Sequence, residues 1–128
     1  MKPDWRFLTA AALYMGAIFW LSAQPGDRVG IPAPWDKLVH ATAYAVLGAL
    51  LQLGLGRPAV AWVIATLYGL SDEVHQYFVP GRMFDLGDWL ADAVGAALGA
   101  YWALRWRKVS NTVKASDTTT TVPTARSK

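Results

Sequence analysis

Between Ser71 and Asp92 the chain reads "SDEVHQYFVPGRMFDLGDWLAD", which places five acids, one histidine and one arginine between two apolar runs. Carboxylates beside a histidine can do acid–base work once their surroundings separate their pKa values. The planar fork of an arginine suits a carboxylate or a phosphate. A second polar stretch, "DKLVHATAY" from Asp36 to Tyr44, adds an acid, a lysine and another histidine. Such groups do chemistry together only if the surrounding elements bring them to one place.

Four apolar segments are available for that. They run from Trp5 to Ala23, Asp36 to Leu55, Ala59 to Phe78, and Asp88 to Trp106. A membrane helix needs about 20 residues, within a range of about 17–25. The second, third and fourth reach that length only if their polar ends enter the membrane boundary. No broad polar face can be drawn on them, as a water-soluble bundle would require. The chain is 54% hydrophobic and 16% charged, with seven tryptophans. An ordinary soluble domain has about 25% charged residues. The expected fold class is therefore all-α: a polytopic membrane protein with four transmembrane helices.

The first segment resembles a signal peptide only in part. Lys2 and Arg6 make a basic start, but Leu21 stands where cleavage after Ala23 would want a small residue. It is read as a retained helix. Lys2, Arg6, Arg57, Arg105, Arg107 and Lys108 all fall on one side of a four-span arrangement. Excess Lys and Arg mark the cytoplasmic side. Both termini are thus expected inside, in the cytoplasmic membrane, with residues 24–35 and 79–87 facing out. Trp20, Trp35 and Trp89 would form an outer belt, and Trp5, Trp62, Trp102 and Trp106 an inner one. Residues 1–108 form the membrane domain. Residues 109–128, rich in threonine, are expected to be a disordered cytoplasmic tail. Cysteine is absent, which excludes disulfides, thiolate nucleophiles and iron–sulfur clusters. No basic stripe suggests nucleic acid.

In this frame the polar groups meet at the outer ends. His40, Asp72 and Asp92 each lie one turn, about 5 Å, inside a segment's outer end. Asp36, His40, Tyr44 and Gly48 share one helix face, as do Gly69, Asp72 and Gln76, and as do Asp88, Asp92, Gly95 and Gly99. The glycines allow close helix approach beneath the acids. Asp36 and Asp88 are placed to cap helices. Asp72 lies near a helix C-terminus, where a negative charge is unfavourable, and so needs a partner. Arg82 follows a Pro-Gly turn. A salt bridge from it to Asp72, Glu73, Asp85 or Asp88 competes with contact to an anionic headgroup. His75 is offset from the polar face and is expected at the interface.

These stretches together resemble the VanZ-like family of small membrane proteins, named for an accessory protein of teicoplanin resistance. The matching residues are Asp36, Lys37, His40 and Tyr44; Asp72, Glu73, Gln76, Pro80, Gly81 and Arg82; and Asp85, Asp88, Asp92, Gly95 and Gly99, with Ser22 in "WLSAQPG". The match covers about Phe7 to Trp106. The family often carries Asn where Asp92 stands, so this chain has an additional acid. The resemblance implies an integral membrane protein connected with glycopeptide susceptibility, and it supplies no reaction.

Three classes of function fit. The first is a binding module at the outer leaflet, its ligand site built from Asp36, Lys37, His40, Asp72, Glu73, Gln76, Arg82, Asp85, Asp88 and Asp92. Its partners would be membrane lipids, specifically anionic or polyprenyl-linked headgroups. The second is an enzyme on a lipid-linked substrate, with His40, Asp72 and Asp92 as catalytic candidates. A metal-dependent form would draw on His40, Asp72, Glu73 and Asp92, but their spacing matches no standard zinc motif. No metal or cofactor is assigned. The third is a structural cluster that fastens short helices or a partner protein of the envelope.

Overall fold

The computed structural model describes residues 2–24 and 35–119. Four helices follow one another: α1 (Trp5–Ser22), α2 (Trp35–Leu55), α3 (Pro58–Tyr77) and α4 (Leu86–Thr119). No strand occurs among the described residues. The boundaries of the first three lie within a residue or two of those expected. Among the described residues only α2 is long and apolar enough, by length and composition, to cross a membrane.

Local chemistry sets the ends. The Asp4 side chain accepts from the Arg6 N–H and caps α1. Gly56 takes a left-handed φ of 71° and donates its N–H to the Gln52 carbonyl, ending α2. Pro58 then starts α3 without losing a hydrogen bond. After α3, the Arg82 N–H closes a turn on the Val79 carbonyl at 3.1 Å. Gly81 supplies the φ of 77° that this turn requires.

The helices alternate in direction. The Asp4 N–H reaches the Gly54 carbonyl, so the start of α1 meets the end of α2. Arg107 donates to the Leu53 carbonyl, so α4 runs parallel to α2. Arg6, Arg57, Arg105 and Arg107 therefore gather at one end, and Asp36, Asp85 and Asp88 at the other. The central pair is α2 and α4. A Cβ on Gly48 would overlap the Ala96 backbone, one on Gly95 the Ala41 carbonyl, and one on Gly99 the Ala45 carbonyl. Glycine at these positions lets two backbones touch. Tyr14 donates to the Ala43 carbonyl and ties α1 to α2.

Large and small residues are distributed inversely to a water-soluble bundle. Ala11, Ala61, Ala65, Ala96, Ala100 and Ala103 are buried, while Leu13, Leu67, Val94 and Leu98 are more than half exposed. Tyr44 and Leu47 are the main bulky residues inside. Asp72, Glu73, Asp88 and Asp92 are buried.

Two expectations need correction. The Trp62 and Trp89 indoles are not free belt residues: they donate to the Ala93 and Thr66 carbonyls and clasp α3 to α4. Residues 109–119, expected to be disordered, continue α4 as an exposed helix. No Gly or Pro interrupts them, and extending a formed helix avoids the cost of nucleation. The remainder of the tail and residues 25–34 of the first loop lie outside the described residues.

Candidate functional site

The acidic end is organised by Lys37 in the first turn of α2. Its Nζ donates to Asp85 Oδ2 at 2.7 Å, to Asp88 Oδ1 at 2.6 Å and to Asp36 Oδ2 at 3.3 Å. One ammonium thus binds acids from α2, from the loop before α4 and from α4 itself. The Lys37 ammonium also holds the Asp85 carboxyl below the usual carboxylate range. Through these contacts Lys37 anchors the start of α4.

Asp85 serves the fold in a second way. Its Oδ1 accepts from the Gly87 and Asp88 N–H groups, so Asp85 caps α4 and Asp88 does not. The cap position is one that three residues later could equally have claimed, and sequence reading chose the wrong acid. Asp88 is freed to bind Lys37 and to approach His40, whose Nε2 lies 3.6 Å from Asp88 Oδ2. The other ring nitrogen, Nδ1, lies 2.8 Å from Asp92 Oδ1. His40 is therefore held between two acids one turn apart on α4. The predicted common depth of His40 and Asp92 appears here as a direct pair.

Glu73 and Asp92 have no exposed surface. Glu73 Oε2 accepts the Asp85 N–H at 3.1 Å, while its Oε1 is buried without a hydrogen-bond partner. Asp92 Oδ2 is likewise without one. Asp72 finds the partner its position demands in Ser22, at the end of α1. Its Oδ1 is left over, as is the Tyr44 hydroxyl. Ser22 and Tyr44 are absent from the ten ligand-site residues predicted from sequence. Their signal was position: a lone serine at the outer end of α1, and a tyrosine one turn below His40.

A cavity of about 470 Å³ opens among these groups. Asp36, His40, Asp72, Gln76, Arg82, Asp85 and Asp88 line its polar side. Ile18, Leu21, Val39, Ala43 and Met83 line an apolar side. Lys37, Glu73 and Asp92 stand behind the wall. Arg82 forms no ion pair among the described residues. Its guanidinium donates to the Gln24 carbonyl at 3.2 Å, and none of Asp72, Glu73, Asp85 and Asp88, the salt-bridge alternatives, pairs with it. His75 lies apart and stacks on Phe19 with ring centroids 4.5 Å apart.

Chemically, the arrangement offers an arginine that forms no ion pair among the described residues, a histidine braced from behind by a carboxylate, and an amphipathic wall. The family model described as VanZ/LLP1 matches residues 6–107. No curated protein and no solved structure matches the chain.

Proposed function

The chain belongs to the VanZ-like family, and from that premise we propose that it is a multi-pass protein of the cytoplasmic membrane whose cup binds an anionic headgroup. The ligand class is a phosphate-bearing lipid or a lipid-linked envelope precursor. The observation that carries this is Arg82, a guanidinium that lines the cavity without a carboxylate partner among the described residues, in a wall that also holds Ile18, Leu21, Val39 and Ala43. A phosphate would meet the arginine, and the first carbons of its chain would lie on these apolar residues. The volume is within the range of about 300–1,000 Å³ usual for small-molecule sites.

The membrane reading draws support from the apolar length of α2 and the exposed Leu and Val on the other helices. Water would leave that surface unfavourable, while lipid covers it. The alternating helix directions and the arginines at the end opposite the cup support a reading of four spans with both termini inside. The cup then faces the extracytoplasmic side. Binding an envelope precursor there would also connect the chain with glycopeptide susceptibility.

The test is a competition between a polyprenyl phosphate and the matching polyprenol for the purified protein. The phosphate should bind, the alcohol should bind at least tenfold more weakly, and Arg82→Ala should abolish the difference. Equal binding of the two by the wild type would refute the proposal.

A second reading, turnover of the bound lipid, is favoured by the His40–Asp92 pair. A carboxylate behind an imidazole orients it as a general base, and His40 reaches the cavity. Product formation that stops in His40→Gln, with binding retained, would establish it.

A further inference from the structure

Behind the cup wall, three side chains from three helices converge: His40 of α2, Glu73 of α3 and Asp92 of α4. One ligand atom from each lies within 4.8 Å of the other two. We propose that His40, Glu73 and Asp92 form a site for a divalent transition-metal cation of the Zn²⁺ or Mn²⁺ type. The site is independent of the headgroup reading, because neither Glu73 nor Asp92 lines the cavity.

Two observations point to a cation. The first is the pair of orphaned oxygens. Glu73 Oε1 and Asp92 Oδ2 are fully enclosed and have no hydrogen-bond partner. Buried polar atoms in folded proteins are nearly always paired, and an uncompensated buried carboxylate costs several kcal/mol. Neither of these two oxygens is reached by a cationic side chain. Lys37 is committed elsewhere, and Arg82 donates to Gln24.

The second is the geometry. Nitrogen and oxygen ligands bind Zn²⁺ at about 2.0–2.2 Å, so two ligands of one ion are at most about 4.4 Å apart. Three ligands spaced evenly about one ion stand no more than about 3.8 Å apart, so atoms as far apart as 4.8 Å would close by about 1 Å. The 2.8 Å between His40 Nδ1 and Asp92 Oδ1 is a hydrogen bond, which a bound ion would replace by coordination from both atoms. A mixed nitrogen and carboxylate set favours a transition metal over Mg²⁺ or Ca²⁺, which take oxygen. Three protein ligands leave a coordination position open, and His40 is the ligand that borders the cavity.

A second acidic triad provides a contrast. Asp36, Asp85 and Asp88 are equally close to one another, but the Lys37 ammonium already occupies their centre. That group carries no metal site. Sequence reading names His40, Glu73 and Asp92, with Asp72, as metal candidates but does not single out the first triad, because each ligand comes from a different helix. Gly69 helps to admit it: a Cβ there would stand 3.0 Å from Asp92 Oδ2.

The test uses full-length protein, purified without a histidine tag, stripped with chelator and titrated with Zn²⁺ or Mn²⁺. One ion per chain is expected. Glu73→Gln and Asp92→Asn should each weaken binding by about 100-fold or more, beyond the usual effect of losing a group that only supports a ligand. Arg82→Ala and His75→Ala should keep the ion, which separates this site from the headgroup site and from the only other histidine. Should the carboxylate variants fail to fold, Co²⁺ loaded into the wild type decides. Absorption bands of a low-symmetry nitrogen–oxygen site are expected. Absence of stoichiometric metal in the wild type, absence of those bands, or full affinity in folded Glu73→Gln and Asp92→Asn would overturn the proposal.

Discussion

Lys37 bears on more acids than any other residue of the chain, and its removal should show it. Lys37→Met would leave Asp36, Asp85 and Asp88 facing one another at the start of α4. The lysine is 37% exposed, so solvent screens part of the effect. A loss of about 1–2 kcal/mol is expected, the order of a hydrogen-bonded charge, read as a lower thermal midpoint in detergent. The Lys37→Arg variant should restore most of it. The residue scale is also where sequence reading succeeded and failed most clearly. Helix-face arithmetic placed His40, Asp72 and Asp92 at one depth, because four-residue spacing on a helix leaves little choice. Pairing was beyond it. Which of three acids takes the lysine, which caps α4, and that Ser22 meets Asp72 all depend on how the helices rotate against one another. That rotation is decided by packing.

At the scale of elements, the α2–α4 contact should be the least tolerant of change. Gly99→Val would drive two methyl groups into the Ala45 carbonyl, and Gly95→Val would do the same at Ala41. Overpacking of this kind costs about 1–3 kcal/mol or more. The same substitutions should separate His40 from Asp92, since both pairs lie on this seam. Gly16 provides the control. A Cβ there meets nothing within 4 Å, so Gly16→Ala should be neutral or slightly stabilising, as expected for Gly→Ala in a helix. Thermal unfolding of the three variants in one detergent checks both statements. The glycine seam was legible because Gly95 and Gly99 sit directly below Asp88 and Asp92 on one face. The continuation of α4 to Thr119 was not. Threonine-rich composition signals disorder for an isolated segment, and a segment grown from a finished helix is not isolated.

At the scale of the whole molecule, the proposed topology assigns each end to a compartment. The chain has no cysteine, so single cysteines can report side without background. Met83 is 81% exposed beside the cup. Met83→Cys should react with a membrane-impermeant maleimide in intact cells. Asn111→Cys, on the exposed extension of α4, should react only after permeabilisation. The opposite pattern would invert the topology and turn the cup toward the cytoplasm. The gathering of the arginines at one end was legible in the sequence, because they fall at alternate segment ends. The cavity was not. Its apolar wall joins Ile18 and Leu21 of α1 to Val39 and Ala43 of α2, and these look no different in sequence from residues that face lipid.

The central claim is that Arg82 holds an anionic headgroup in the cup. Native mass spectrometry of the purified protein with its co-extracted lipids, wild type beside Arg82→Ala, tests it most directly. The account predicts a phospholipid or polyprenyl phosphate retained by the wild type and lost from the variant, with both proteins folded. A wild type that is folded and free of anionic lipid, or a variant that keeps the same lipid, would contradict it.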